Sequence, residues 1–315
     1  MLEVVEASGI GTVQDTGRRG WRRFGVPGSG PMDEFALLGA NLLAGNQGDA
    51  AAIEVGAGDL SLEARQDAVI AVAGAGYELN VHVWRYPLWG SYFVRRGWAI
   101  RLRKAERGMW AYLAVAGGIE TAPVLGSRAT YLRGRFGGVQ GRPLQAGDEL
   151  HTRQSPKGLI ETAGRTIVES CQPTYESGPR LDVISGPQQE HLTAPSVQTF
   201  FSASYRVSRE ADRMGYRLEG PSLEHNSSPD LVSEGITPGC IQVPADGSPI
   251  VMMADSATTG GYPKIGCVVR ADLPKLAQCR PGQDAVSFRE TTVEAAQRKY
   301  RELVQRLRSG IREAE

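Results

Sequence analysis

Lysine is scarce in this chain: Lys104, Lys157, Lys264, Lys275 and Lys299 are its only examples, and arginine supplies the rest of the 35 basic residues. Those 35 are balanced by 35 acidic residues, so no net field exists to attract nucleic acid or an anionic membrane surface. Four cysteines (Cys171, Cys240, Cys267 and Cys279) form no Cys-x-x-Cys pair, and a chain of 315 residues does not need disulfide staples. They are expected to be buried free thiols in a reducing compartment. The histidines (His82, His151, His191 and His225) lack metal-ligand spacing, and no metal is expected. No apolar run approaches the ~20 residues of a membrane helix. The segment Met1-Leu2-Glu3-Val4-Val5-Glu6 has acids and no basic n-region, unlike a signal peptide. A soluble, cytoplasmic protein is the expectation.

Familiar catalytic signatures are missing as well. No Gly-Lys dipeptide occurs, which excludes a P-loop. Gly9-Ile-Gly11 is a bare Gly-x-Gly with no helix pattern after it, and no Gly-x-Ser-x-Gly is present to form a hydrolase elbow. Without a Met-Lys-Met-like tripeptide, the chain is not itself an evident biotin carrier.

What is present is 39 glycines and 18 prolines spread between short apolar stretches. Those stretches are Ala68–Ala73, Leu79–Val83, Trp98–Leu102, Tyr112–Ala116, Leu181–Ile184, Cys240–Val243, Ile250–Ala254, Ile265–Val269 and Ala285–Phe288. Short strands divided by turn residues predict barrels or sandwiches rather than a doubly wound sheet. Two helices stand out. Asp33–Ala44 has acids in its first turn and Gly45 just past its end, which suits the helix dipole and a left-handed cap. Val293–Ile311 carries Ala296, Tyr300, Leu303, Val304, Leu307 and Ile311 as one apolar stripe, able to dock on its own chain or on a partner. At an offset of 181, Gly58, Leu60, Leu62, Val69, Ile70, Val72 and Ala73 fall on Gly239, Ile241, Val243, Ile250, Val251, Met253 and Ala254. This faint repeat suggests two related β domains in tandem. The polar stretch Gln172–Pro179 is the expected boundary, giving domains 1–175 and 176–292 and a terminal amphipathic helix, 293–315.

The segment Ala254-Asp255-Ser256-Ala257-Thr258-Thr259-Gly260-Gly261-Tyr262-Pro263-Lys264 is the most suggestive of chemistry. Paired glycines permit positive φ and let a ligand approach the main chain. The threonines add hydroxyls, Asp255 a carboxylate able to orient Lys264 or accept a proton, and Lys264 an ammonium. The alternative is an ordinary hairpin loop, since Gly-Gly-Tyr-Pro is also turn punctuation. Gly28-Ser29-Gly30-Pro31 entering a helix offers an anion-friendly N-terminus; alternatively Ser29 or Gly30 only caps the helix. Arg209, Arg213 and Arg217 suit either a carboxylate or phosphate clamp or a solvated face with local ion pairs. Glu54 and Glu234 are candidate hydrogen-bond anchors.

Further stretches carry a resemblance. Val13-Gln14-Asp15-x-Gly17-Arg18, Gly30-Pro31-Met32-Asp33, Ala40-Asn41-x3-Gly45-Asn46, Tyr112-Leu-Ala-Val-Ala-Gly-Gly-Ile119 and Leu125-Gly126-Ser127-x2-Thr130 come first. Gly147-Asp148, Asp212-Arg-Met-Gly-Tyr-Arg-Leu218, Ser233-Glu-Gly-Ile236, Ile241-Gln-Val-Pro244 and Thr258-Thr-Gly-Gly-Tyr-Pro-Lys-Ile265 follow in the same order. Together they resemble the biotin-dependent carboxyltransferase family, also called allophanate hydrolase subunit 2, which includes the C subunit of the prokaryotic 5-oxoprolinase.

The resemblance implies two tandem cyclophilin-like β-barrel domains. It implies a smaller B subunit as partner and, in the 5-oxoprolinase, a lactam-utilisation A subunit, with ATP-driven opening of 5-oxo-L-proline to L-glutamate and little activity for this chain by itself. In urea amidolyase relatives it implies carboxyl transfer from carboxybiotin, carried by another chain, to urea or a similar small amide. Another relative is named as an antagonist of a sporulation-kinase inhibitor, so a non-catalytic regulatory role in binding such a partner stays open. Lys264, Asp255, Thr258 and Thr259 are the expected catalytic residues. Gly260, Gly261, Tyr262, Gln242, Arg213, Ser29 and Asn41 are expected to contact substrate. Ala257 departs from the pattern, since many relatives carry Gln there, and this bears on which amide is accepted.

Overall fold

The computed structural model describes residues 1–153 and 158–313. Lys157, one of the five lysines, lies outside the described residues. The chain is mainly β and divides into two compact units. One comprises Met1–Arg18, Ser29–Pro173 and Leu303–Glu315; the other comprises Arg19–Gly28 and Thr174–Glu302. The ten residues Arg19–Gly28 therefore belong with a unit whose main body begins far downstream, and the terminal helix divides after Glu302.

In the first unit, two seven-stranded sheets enclose one core. The first runs, edge to edge, Ile119–Glu120, Glu149–Thr152, Leu2–Ala7, Leu60–Ala64, Ala99–Lys104, Tyr77–Val81 and Trp84–Tyr86. The second runs Ile10–Gln14, Ala52–Gly56, Trp110–Val115, Ala68–Gly74, Gly90–Val94, Thr166–Ile167 and Ile311–Arg312. Leu60–Ala64 alternates buried and half-buried residues, as a strand covered on one face should. Ala68–Gly74 is buried throughout, because helix Glu34–Leu43 packs on it as well. Leu62, Leu79 and Ile100 meet Ile53, Val72 and Leu113 in the core.

That helix begins where its sequence places it. The Asp33 side chain accepts hydrogen bonds from the N–H groups of Phe35 and Ala36, and Gly45 follows the helix at φ +71°. Asp33 is the cap, not Ser29 or Gly30. The nearby N–H groups are also taken, Met32 by Glu54 and Asp33 by the Tyr112 hydroxyl, so the anion-binding reading of this terminus lacks free donors.

The second unit holds a closed barrel. Its strands run Arg180–Ser185, Lys264–Val268, Cys240–Gln242, Ile250–Met252, Gly215–Glu219, Ser204–Val207 and Ala285–Glu290, and parallel pairing of the first with the last closes it. Phe200, from helix Ala194–Ser202, stacks on Phe288 at 4.4 Å in its core. The 181-residue offset aligns strands with strands but not their pairing. Cys240–Gln242 pairs directly with Ile250–Met252, whereas Leu60–Ala64 and Ala68–Gly74 lie in different sheets.

The last helix spans Val293–Ser309 and stops two residues short of the predicted end. Ile311 instead pairs with Ile167 as an edge strand. Within the second unit, Lys299 on this helix bridges Asp182 at 2.7 Å and Asp272 at 2.6 Å. No helix among the described residues is long and apolar enough to cross a membrane.

Candidate functional site

The polar residues singled out after Met253 gather in the second unit. Strand Ile250–Met252 ends and the chain turns at Ala254–Thr258. Thr259–Gly260 then pairs with Glu234–Gly235, and Lys264 begins the next barrel strand. The loop is pinned by its backbone: the N–H of Asp255 donates to the Arg213 carbonyl at 2.8 Å, that of Ile236 to Thr258 at 3.1 Å and that of Leu231 to Gly261 at 2.8 Å. Thr259 and Tyr262 stand exposed, while Thr258, Gly260 and Gly261 are half-buried.

Two ion pairs organise this region. Arg213 grips Asp255 bidentately, Nε to Oδ2 at 2.8 Å and Nη2 to Oδ1 at 3.1 Å. Lys264, 6% exposed, donates its ammonium to Glu234, which also accepts from the Gln188 amide at 2.6 Å. The Lys264 hydrogen bond holds the Glu234 carboxyl below its usual range. Gln188 closes this three-residue cluster by accepting the Lys264 backbone N–H at 3.3 Å.

Asp255 therefore orients Arg213 and not Lys264; Glu234 takes the orienting role that residue types alone gave to Asp255. Arg213 is equally committed, so it is a scaffold for the loop rather than a guanidinium open to ligand. Arg217 contacts Glu210 at 3.9 Å, and the three arginines do not form a clamp. Neither Gly260 nor Gly261 has positive φ. A Cβ at Gly260 would stand 2.3 Å from the Gln242 Nε2, so a larger residue there displaces that amide.

Gln242 is opposite Lys264 in the strand register and only 5% exposed, and its Nε2 has no hydrogen-bond partner. A buried amide without a partner costs about 1–3 kcal/mol, so a ligand carbonyl or carboxylate meeting it would recover that cost. The Ser256 hydroxyl, fully buried, is similarly unmatched. An unmatched amide on the residue opposite Lys264 suits an amide oxygen on which charge develops.

Arg22 completes the region. From the segment Arg19–Gly28 its Nη2 reaches the carbonyls of Ile236 and Ala257, each at 2.7 Å. Burial pushes its guanidinium pKa down. Neither Arg22 nor Gln188 carries a sequence signal, because each arrives from a part of the chain remote from the loop. A pattern search restricted to neighbouring residues has no way to join them.

Ser29 and Asn41 belong to the first unit, whereas this loop belongs to the second. Asn41 is fully buried, donating to the Ala50 carbonyl at 2.8 Å and accepting from Asn46 at 3.1 Å, a structural role. Ser29 adopts φ +53° with its hydroxyl buried and unmatched. Glu54 is an anchor within that unit, accepting from the Tyr112 hydroxyl at 2.5 Å and from Met32. Among the described residues, no group of His, Cys, Asp and Glu is placed to hold a metal ion.

A family model described as carboxyltransferase domain, subdomain A and B, matches residues 24–290. The C subunit of the Escherichia coli K12 5-oxoprolinase is 37% identical over 320 residues, covering 98% of this chain and 99% of the relative. The urea amidolyase of Saccharomyces cerevisiae is 30% identical over 91% of this chain, which spans only 16% of that protein. Among solved structures, the Kluyveromyces lactis urea carboxylase superposes with a TM-score of 0.92 at 27% identity, over 98% of this chain and 29% of that one.

Proposed function

The chain belongs to the carboxyltransferase domain family, subdomains A and B, and on that premise we propose that it is the C subunit of a 5-oxoprolinase-type complex. In that complex it would act with a smaller B subunit and a lactam-utilisation A subunit in the ATP-dependent opening of 5-oxo-L-proline to L-glutamate. One observation carries the reading: the match to a 5-oxoprolinase C subunit runs end to end in both chains, whereas this chain spans a small fraction of the urea amidolyase.

The loop in the second unit is the proposed substrate-contacting surface. Opening a lactam breaks its C–N bond as water adds to the carbonyl carbon, and negative charge gathers on the carbonyl oxygen. The Gln242 amide and the Lys264 ammonium are the proposed donors to that oxygen. Glu234 holds Lys264 in place, and Thr258, Thr259, Gly260, Gly261 and Tyr262 border the substrate. Arg213 and Asp255 keep the loop in register. ATP is a co-substrate of the assembled complex.

The second reading is biotin-dependent carboxyl transfer to urea or another small amide, favoured by the close superposition on a urea carboxylase. Biotin would arrive on another chain, and the same donors would meet the acceptor amide. The two readings separate in one experiment. The chain is combined with its candidate partner proteins and ATP and offered 5-oxoproline, or combined with a biotin carrier and carboxylase and offered urea. Glutamate from the first mixture supports the lactamase reading. Urea-dependent carboxylation without glutamate overturns it in favour of the second.

A further inference from the structure

Two of the four cysteines sit opposite one another on adjacent strands of the barrel wall. Cys240 and Cys267 are direct partners in the register of the antiparallel strands Cys240–Gln242 and Lys264–Val268. The Cys240 N–H donates to the Thr237 carbonyl at 3.1 Å and the Val268 N–H to Gly239 at 2.8 Å, so the pair sits between hydrogen-bonded rungs. At such positions opposed Cα atoms lie about 4.5 Å apart with their side chains at closest approach. That spacing falls inside the ~4.4–6.8 Å range a disulfide needs.

The surroundings favour a reactive sulfur. The Thr237 N–H points at the Cys240 Sγ at 3.4 Å, and the Thr237 hydroxyl lies 3.5 Å from it. The Cys267 Sγ reaches the Val268 carbonyl at 3.7 Å. The neighbouring Cys267 thiol, with Thr237 and the charge of Lys264, holds the Cys240 thiol below its usual range against the opposing effect of burial. Arg22 also feels the Cys240 charge. Cys267 is half-buried and its own thiol is raised by the hydrogen bond to Cys240, which makes it the partner that keeps its proton longer. Cys279 is different: fully buried, it donates to the Lys275 carbonyl at 3.3 Å, and burial pushes its thiol up to about 12.

We propose that Cys240 and Cys267 form a reversible dithiol–disulfide site oxidised by hydrogen peroxide. The Cys240 thiolate attacks one peroxide oxygen, the O–O bond breaks, and the departing hydroxide takes a proton to become water. The Cys267 sulfur, giving up its proton, then attacks the Cys240 sulfenic acid; the S–S bond forms, the S–O bond breaks and a second water leaves. Two thiols lose two electrons and one peroxide becomes two waters. A small thiol reverses the reaction through two exchange steps. The site stands whichever amide the complex acts on.

The test uses the full chain. It is exposed to hydrogen peroxide, alkylated, digested without reduction and mapped by mass spectrometry. A peptide pair joined through Cys240 and Cys267 is expected, lighter by two hydrogens than the separate thiol peptides and lost on treatment with dithiothreitol. In Cys267→Ala, dimedone should instead trap a sulfenic acid at Cys240. Peroxide treatment that leaves both cysteines of the wild-type chain alkylatable, or that carries Cys240 to a sulfinic acid without the cross-link, overturns the proposal. The wild-type result decides the matter even if the variant does not fold.

Discussion

Arg213 and Asp255 meet as a bidentate pair in which each side chain is only 5% exposed. The pair ties the segment before strand Gly215–Glu219 to the loop that leaves strand Ile250–Met252, and so fixes where Ser256 through Gly261 begin. Removing one partner strands a buried charge, which costs about 3–5 kcal/mol, whereas removing both does not. Asp255→Ala is expected to lower the urea midpoint sharply, and the double variant with Arg213→Ala to recover a large part of the loss. Equal destabilisation by the single and double variants would show that the pair contributes no coupling.

Gly260→Ala tests Gln242. The added methyl would sit 2.3 Å from Nε2, and the amide must swing away. A displaced contact of this kind costs about 10- to 100-fold in turnover while leaving the fold intact. Gly235→Ala is the control, because a Cβ there meets nothing within 4 Å. Steady-state rates of the assembled complex compare the two; a full rate in Gly260→Ala would remove Gln242 from the substrate's surroundings.

Stability at acid pH should depend on Lys299. Burial pushes the Asp182 carboxyl up, but hydrogen bonds from Lys299 and Arg289 outweigh it and hold the group below its usual range. A carboxyl depressed in the folded state contributes stability above its unfolded pKa of about 3.9, lost as pH falls through the folded value. Urea unfolding between about pH 5 and 2 should therefore show a falling limb that is shallower in Lys299→Met. An identical limb in the two proteins would dissociate Asp182 from this dependence.

Asp33→Ala removes two hydrogen bonds to the first turn of helix Glu34–Leu43. A loss of about 1 kcal/mol is expected in thermal or urea unfolding. Ser29→Ala, at a residue that does not cap, should lack that cost.

The sequence announces what local patterns control. Each of the nine apolar stretches contributes a strand, and Asp33 with Gly45 brackets a helix, because periodicity and caps act over a few residues. Arg22 beside Ala257, Gln188 beside Lys264 and Cys240 opposite Cys267 are products of long-range closure, and no spacing rule encodes them. Asp255 illustrates the limit: its type suggested a partner for Lys264, but the nearby Arg213 captures it and Glu234 crosses from another strand to serve Lys264. Ile311 fits the helical stripe, yet gains a strand partner in Ile167.

The most direct measurement of the account is glutamate release from 5-oxoproline and ATP by the candidate partner proteins, with and without this chain. Glutamate formed only when the chain is present, and sharply reduced with Lys264→Ala in an intact assembly, is the predicted result. No glutamate from three folded and associated proteins, or the same rate when this chain is omitted, would contradict it.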